Sequence, residues 1–150
     1  MFETVVIATD VSPSAERAVT AAVDLADRFD AGVHVLSVVE GDDANHEQHV
    51  RTELARLAGT FGRPVTTAVR HGDPGTVVLD YVDRVGADLV ATGTRGRDSP
   101  YSYHLGSVAE RIAHDSPVPV LTVRQLEVGD SERVTEENER ESPNAERRTK

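Results

Sequence analysis

Five short apolar runs alternate with four helical patterns along residues 1–124, and this alternation constrains the fold more than any other feature. Runs that are short, apolar and rich in β-branched residues are typical of buried strands. They are Glu3–Thr9, Val33–Val39, Val65–Arg70, Ala87–Gly93 and Val118–Val123. Between them, apolar residues recur at helical spacing. We therefore predict an α/β fold, with a single doubly wound parallel sheet of five strands and helices on both faces.

Turn residues mark the expected helix boundaries. Ser12-Pro13 and Asp73-Pro74 are good pairs for an N-cap and the first helical position. Gly32 and Gly86 lie just past helical patterns, where glycine commonly ends a helix. The fourth helical pattern begins with Leu105.

A glycine-bearing loop follows the fourth strand. The stretch Ala91–Ser107 reads A-T-G-T-R-G-R-D-S-P-Y-S-Y-H-L-G-S and leads directly into a helical pattern. A strand, a glycine loop and a helix let backbone N–H groups close around a phosphate. Glycine suits such a loop because it has no Cβ to block the approach. We expect Gly93, Gly96 and Gly106 to hold the phosphates of a nucleotide; the alternative is a turn with two packing glycines.

Doubly wound sheets bind ligands at the carboxyl ends of their strands, where the strand order reverses. Asp10 ends the first predicted strand and Gly93 ends the fourth. If the chain winds one way from the first strand and the other way from the fourth, the crevice lies between these two residues. Asp10 would then contact the ligand; its alternative role is a turn residue before Ser12.

Charge and composition limit the classes of function. The net charge is −10, from 26 acidic and 16 basic residues, and such a surface repels nucleic acid. Cysteine is absent, which excludes disulfides. No signal peptide and no run long enough to span a membrane is visible, so we expect a cytoplasmic protein. His46 and His49 lack an evident third ligand, so no metal site is expected.

Lysine is nearly missing from the basic residues. Lys150 is the single lysine, and the other basic residues are arginines. This resembles the acidic proteomes of salt-loving organisms, although a high-GC genome gives the same arginine excess. The character of the chain also changes after residue 124. Residues 125–150 carry many charges and no periodicity, so we predict a nucleotide-binding domain over 1–124 and a disordered tail.

The glycine spacing G-x2-G-x9-G-S resembles the nucleotide-binding signature of the universal stress protein family. The opening I-A-T-D-V-S-P-S-A-E-R-A, the junction H-G-D-P-G-T and the closing G-S-V-A-E-R-I-A-H-D-S-P-V-P-V-L-T-V-R are similar to other segments of that family. These matches spread over Met1–Arg124. The resemblance implies strand order 3-2-1-4-5, binding of ATP or another adenine nucleotide, and a homodimer formed through Val118–Val123.

Site residues follow from the same resemblance. Those implied to lie against the adenosine are Ala8, Thr9, Asp10 and Val38, with Thr92 and Gly93 beneath the ribose. Those implied to contact phosphate are Gly96, Gly106, Ser107 and Val108, mainly through backbone N–H groups. Arg97 lies in the loop, where its charge would either neutralise phosphate or stay solvated. Two features depart from the family pattern: Val11 replaces a common glycine, and Ser99–His104 is bulkier than usual and would narrow the phosphate channel.

The expected function is regulatory binding of an adenine nucleotide in a stress response, rather than catalysis. The phosphate-binding motif G-x-x-x-x-G-K-[S/T] is absent, so a kinase or motor ATPase is not expected. One alternative is a slow nucleotide hydrolase or phosphotransferase in which Mg²⁺ bridges the phosphates. Another is a dimeric interaction module that needs no nucleotide.

Overall fold

The computed structural model describes residues 2–94 and 105–124. Its strands are β1 Thr4–Ala8, β2 Gly32–Val39, β3 Thr66–His71, β4 Leu89–Gly93 and β5 Val120–Val123. They form one sheet in the order β3-β2-β1-β4-β5, and every neighbouring pair is parallel. The predicted α/β class, the parallel pairing and the order 3-2-1-4-5 are therefore confirmed.

Helices cover both faces of the sheet. They are α1 Pro13–Arg28, α2 Ala44–Gly59, α3 Pro74–Val85 and α4 Ser107–Asp115. Buried side chains of α1 and α2 pack with Val5, Ile7 and Val35 on one face. Buried side chains of α3 and α4 pack with Val6 and Leu36 on the other. The faces alternate along each strand because successive side chains point to opposite sides of a sheet.

Several helix boundaries lie where the turn residues predicted them. The Ser12 side chain accepts a hydrogen bond from the backbone N–H of Ala15 and caps α1. The Asp73 side chain caps α3 in the same way. Gly86 closes α3 in the left-handed conformation, with φ of 65°. Each of these caps is local in the chain, which is why residue type and spacing were sufficient to find it.

The end of α1 differs from the prediction. Gly32 is the first residue of β2 and does not terminate the helix. Asp30 takes that role instead, in the left-handed conformation with φ of 53°. The N–H of Asp30 donates to the carbonyl of Asp27, and the N–H of Ala31 donates to that of Ala26. This paired pattern satisfies the last carbonyls of the helix without a glycine.

Three strands are shorter than predicted. β1 spans Thr4–Ala8 rather than Glu3–Thr9, and β4 and β5 begin later than predicted. β5 begins at Val120 rather than Val118, because Pro119 has no N–H to give to the ladder. β4 begins at Leu89 rather than Ala87, and Asp88, just before it, is hydrogen-bonded to the start of β1. Its Oδ2 accepts hydrogen bonds from the N–H groups of Glu3, at 2.8 Å, and Thr4, at 3.0 Å.

Leu105 lies before α4 rather than in it, and its side chain is exposed. Among the described residues, no helix combines the length and the apolar character that crossing a membrane requires.

Candidate functional site

The switch point of the sheet lies between β1 and β4, as predicted. Ala8, the last residue of β1, pairs with Thr92 of β4, and Ile7 pairs with Ala91. The chain leaves β1 for α1 on one face, whereas α4 follows β4 and packs on the other. Because the two connections diverge, a crevice forms outside the carboxyl ends of these two strands. The structure therefore brings the predicted β1 and β4 residues to one edge of the sheet.

The turn after β1 is held by its own side chains. The backbone N–H of Val11 donates to Thr9 Oγ1 at 3.2 Å. Asp10 Oδ1 accepts hydrogen bonds from the N–H of Ser12, at 3.0 Å, and from the Ser12 hydroxyl, at 2.6 Å. Asp10 thus acts as a turn residue, one of its two predicted roles. Its contact with a ligand stays a prediction.

Val11 has a backbone conformation that is unusual for its residue type. Its φ is 56°, in the left-handed region that β-branched residues rarely adopt. The side chain is 8% exposed and belongs to the core on the α1 and α2 face. Burial of the side chain compensates for the local strain. Val11 departs from the glycine that the family resemblance implies at this position. Its φ of 56° is one that glycine adopts without strain.

Three of the predicted site residues are half-buried apolar residues on the α3 and α4 face of the sheet. Ala8 of β1, Val38 of β2 and Val108 of α4 are each partly buried, and each packs against the core on the α3 and α4 face. Val38 lies two residues beyond Leu36, which pairs with Ala8. Apolar groups left half-covered at a crevice offer a surface on which a flat, apolar ring can pack.

The connection from β4 to α4 is closed by backbone hydrogen bonds. Thr92 is buried, and Gly93 ends the strand. The N–H of Gly106 then donates to the carbonyl oxygen of Thr94 at 2.7 Å. α4 begins at Ser107 without a side-chain cap. The N–H groups of its first turn have no acceptor within the helix and carry its positive dipole end, as a phosphate site needs.

Gly96 and Arg97, like the segment Ser99–His104, lie outside the described residues, and so does the tail 125–150. Within residues 2–94 and 105–124, no group of three or more histidine, aspartate or glutamate side chains is arranged to hold a metal ion.

An ion pair lies one helical turn below the start of α4. Arg111 Nη1 lies 2.6 Å from Asp73 Oδ2, at the start of α3. The same oxygen accepts hydrogen bonds from the N–H of Thr76, at 3.1 Å, and from its hydroxyl, at 2.9 Å. These Thr76 hydrogen bonds, together with the Arg111 guanidinium, hold the pKa of Asp73 below its usual value. Asp73 was predicted as a cap, but its link to Arg111 was not.

A family model described as the universal stress protein family matches residues 1–58 and 42–124, which together span most of the chain. The chain belongs to the universal stress protein family. The family predicted from the resemblance of several segments is therefore confirmed.

Curated relatives carry the same family name. A universal stress protein of Methanocaldococcus jannaschii is 28% identical over 142 residues, covering 83% of this chain and 84% of that protein. A Staphylococcus epidermidis protein named for this family is 31% identical over 144 residues, covering 85% of this chain and 87% of the relative. The similarity thus extends over most of each chain.

Solved structures of universal stress proteins share the fold. One, determined in complex with cAMP, is 26% identical with a TM-score of 0.66, covering 83% of this chain and 98% of that one. A structure from Archaeoglobus fulgidus has a TM-score of 0.70 at 21% identity, covering 81% of this chain and 98% of that one. The second likeness concerns the fold alone.

Proposed function

We propose that this universal stress protein binds an adenine nucleotide at the switch point and acts in regulation rather than catalysis. The observation that carries the proposal is that half-buried Ala8 and Val38 lie at the carboxyl ends of β1 and β2, at the same sheet edge from which β4 leads to the uncapped start of α4. An apolar surface suits a base, and a helix N-terminus suits a phosphate. The related structure in complex with cAMP, an adenine nucleotide, supports the choice of ligand.

Each site residue has a proposed role. The adenine ring packs on Ala8 and Val38, while Thr9 and Asp10 lie against the base or the ribose. Thr92 and Gly93 form the floor beneath the ribose. The phosphates accept hydrogen bonds from the backbone N–H groups of Ser107 and Val108 and from the Ser107 hydroxyl. The N–H of Gly106 donates to Thr94, so this glycine serves phosphate by leaving room for it rather than by donating.

Gly96 and Arg97 keep their predicted phosphate roles, although both lie outside the described residues. When the ligand is ATP, Mg²⁺ accompanies it on the phosphates. We also propose that residues 1–124 form the nucleotide-binding domain, followed by a charged tail, and that the protein acts in the cytoplasm. The described groups at the site are backbone N–H groups, hydroxyls, apolar side chains and the Asp10 carboxylate, whose Oδ1 is already hydrogen-bonded to Ser12. This set suits binding more than bond cleavage.

We propose a homodimer through the β5 edge. In the described sheet, β5 pairs with β4 on one side, and its apolar residues Val120, Leu121 and Val123 are only partly buried. Such an edge pairs readily with a second copy. Replacing Thr122 with proline removes an edge N–H, and we expect a monomer by light scattering. A dimer that persists in this variant would contradict the β5 interface.

The test of the proposed function is direct. The purified protein is denatured, and the released small molecules are identified by mass spectrometry. Titration calorimetry with adenosine, AMP, ATP and GTP then measures affinity. We expect adenine nucleotides to bind in preference to GTP, and ATP to remain intact after long incubation. Steady conversion of ATP to ADP or AMP would favour the hydrolase alternative, and absence of binding would favour the interaction module.

A further inference from the structure

One carboxylate oxygen joins the start of α3 to the middle of the neighbouring helix α4. Asp73 Oδ2 caps α3 through Thr76 and also receives a hydrogen bond from Arg111 Nη1 of α4 at 2.6 Å. Asp73 and Arg111 are 38 residues apart, so the contact exists only in the folded chain. Arg111 Nε also lies 3.7 Å from Asp115 Oδ2, on its own helix. Its guanidinium is therefore held between two carboxylates.

The glycine two residues after Asp73 makes room for this contact. A Cβ at Gly75 would lie 2.9 Å from Arg111 Cδ, closer than atoms can approach without a shift. Gly75 has no positive φ, so its backbone conformation does not require glycine. The absence of a side chain at Gly75 instead lets the Arg111 stem lie against the first turn of α3.

The position of Arg111 on α4 links this contact to the candidate phosphate site. Arg111 lies four residues after Ser107, on the same face of the helix and one turn further along. The ion pair with Asp73 therefore holds the side of α4 that lies directly below its first N–H groups. α4 is only 9 residues long and has no side-chain cap, so a contact one turn away bears on the direction of those groups.

We infer that Arg111 is a positioning residue for anion binding: its pairing with Asp73, in the space left by Gly75, orients the N-terminus of α4 toward phosphate. This inference rests on the proposed function. The guanidinium is not the phosphate ligand in this arrangement, because its charge is already paired with the two carboxylates. If Arg111 instead bound phosphate directly, removing the charge of Asp73 would release its guanidinium and strengthen ATP binding. The experiment distinguishes these two roles.

The experiment compares four single variants of the full chain and one double variant, which combines the changes at Asp73 and Arg111. Asp73→Asn keeps an N-cap but removes the charge, since asparagine caps helices as well as aspartate does. Arg111→Met keeps the stem and removes the guanidinium. Gly75→Ala keeps both charges and displaces the Arg111 stem. Arg51→Met is the matched control, because Arg51 forms a comparable exposed pair with Glu47 on α2, on the opposite face.

Calorimetry measures the affinities for adenosine, AMP and ATP. We expect Asp73→Asn, Arg111→Met and Gly75→Ala each to weaken the binding of AMP and ATP by about three- to fivefold, the upper part of the range for an exposed ion pair. The affinity for adenosine should stay constant, because adenosine carries no phosphate. The double variant of Asp73 and Arg111 should be no weaker than either single variant. Arg51→Met should match the wild type in its affinities for adenosine, AMP and ATP.

A second measurement needs no nucleotide. Hydrogen exchange at the N–H groups of the first turn of α4 should be faster in the three variants than in the wild type and in Arg51→Met. Unchanged exchange would overturn the positioning role whatever the protein binds. Tighter ATP binding in Asp73→Asn would also overturn it, since it would make Arg111 a direct ligand. A wild type that shows no nucleotide affinity contradicts the proposed function, while exchange still decides whether Arg111 orients α4.

Discussion

The backbone N–H of Gly106 donates a hydrogen bond of 2.7 Å to the carbonyl oxygen of Thr94, joining the residue after β4 to the residue before α4. The start of α4 is thus attached to the end of the strand beside the switch point. Because this bond uses the backbone alone, we expect it to survive replacement of Gly106 by another residue that has a backbone N–H. Gly106 also has φ of −62° and ψ of 159°, a conformation that any residue adopts.

We therefore predict that Gly106→Val keeps the fold and loses nucleotide affinity. Valine places two methyl groups where phosphate approaches the helix, and AMP and ATP binding should weaken by at least about tenfold. Calorimetry gives the affinity, and thermal unfolding verifies that the midpoint is near that of the wild type. Gly106→Ala should be intermediate. Full affinity in a folded Gly106→Val protein would be incompatible with a phosphate beside this residue.

At position 11, we predict that glycine gives a more stable protein than alanine, the reverse of their usual order in stability. Both Val11→Ala and Val11→Gly lose the buried methyl groups, but only glycine adopts φ of 56° without strain. Val11→Gly should therefore be the more stable of the two by about 1 kcal/mol in urea unfolding. Ala18→Gly, inside α1, is the comparison: there glycine should lower the free energy of unfolding by about 1 kcal/mol relative to alanine. A more stable Val11→Ala would show that this turn carries no strain.

The left-handed end of α1 offers a stabilising change. Asp30→Gly removes the steric cost of φ 53° and also removes a negative charge from the negative end of the helix dipole. We expect a gain of about 0.5–1 kcal/mol in the free energy of unfolding. Asp30→Asn separates the two effects, because asparagine tolerates the same conformation without the charge. No gain in either variant would rule out both causes.

The Asp73 carboxylate predicts a pH dependence with a definite sign. Its pKa in the folded chain lies below the usual 3.8, chiefly because of the Thr76 hydrogen bonds. Charged Asp73 therefore stabilises the fold above its unfolded pKa, and this contribution is lost as pH falls through the folded pKa. The difference in unfolding free energy between wild type and Asp73→Asn should be constant near neutral pH and shrink below pH 3.8. A difference that stays constant down to strong acid would refute the shift.

The features of this molecule that could be predicted from the residues themselves are those that depend on neighbours in the chain. Ser12 and Asp73 could be identified as caps because a cap depends on the few residues that follow it. The strand order came from the family resemblance, and the pairing of β1 with β4 agrees with it. The apolar character of Val38 and Val108 was visible, but their half-buried packing on the α3 and α4 face requires the assembled sheet.

Other features depend on residues that are far apart in the chain. Asp88 accepts hydrogen bonds from residues more than eighty positions away, a link that no local pattern indicates. The contact of Gly75 with Arg111 likewise appears only when α3 and α4 lie side by side. Asp30 replaced the predicted glycine because aspartate is among the few residues that tolerate a positive φ.

The strand order has a consequence for how the protein is made. β1, β2 and β3 pair within residues 4–71, whereas β1 must wait for β4, since Val5 pairs with Leu89. During synthesis the β1 and β2 side of the proposed site is therefore made before the β4 and α4 side. A nucleotide in the proposed site would contact both sides, so its binding free energy would add to the docking of β4 and β5 onto the earlier strands. Nucleotide supply would then set how often the last part of the sheet opens to proteases.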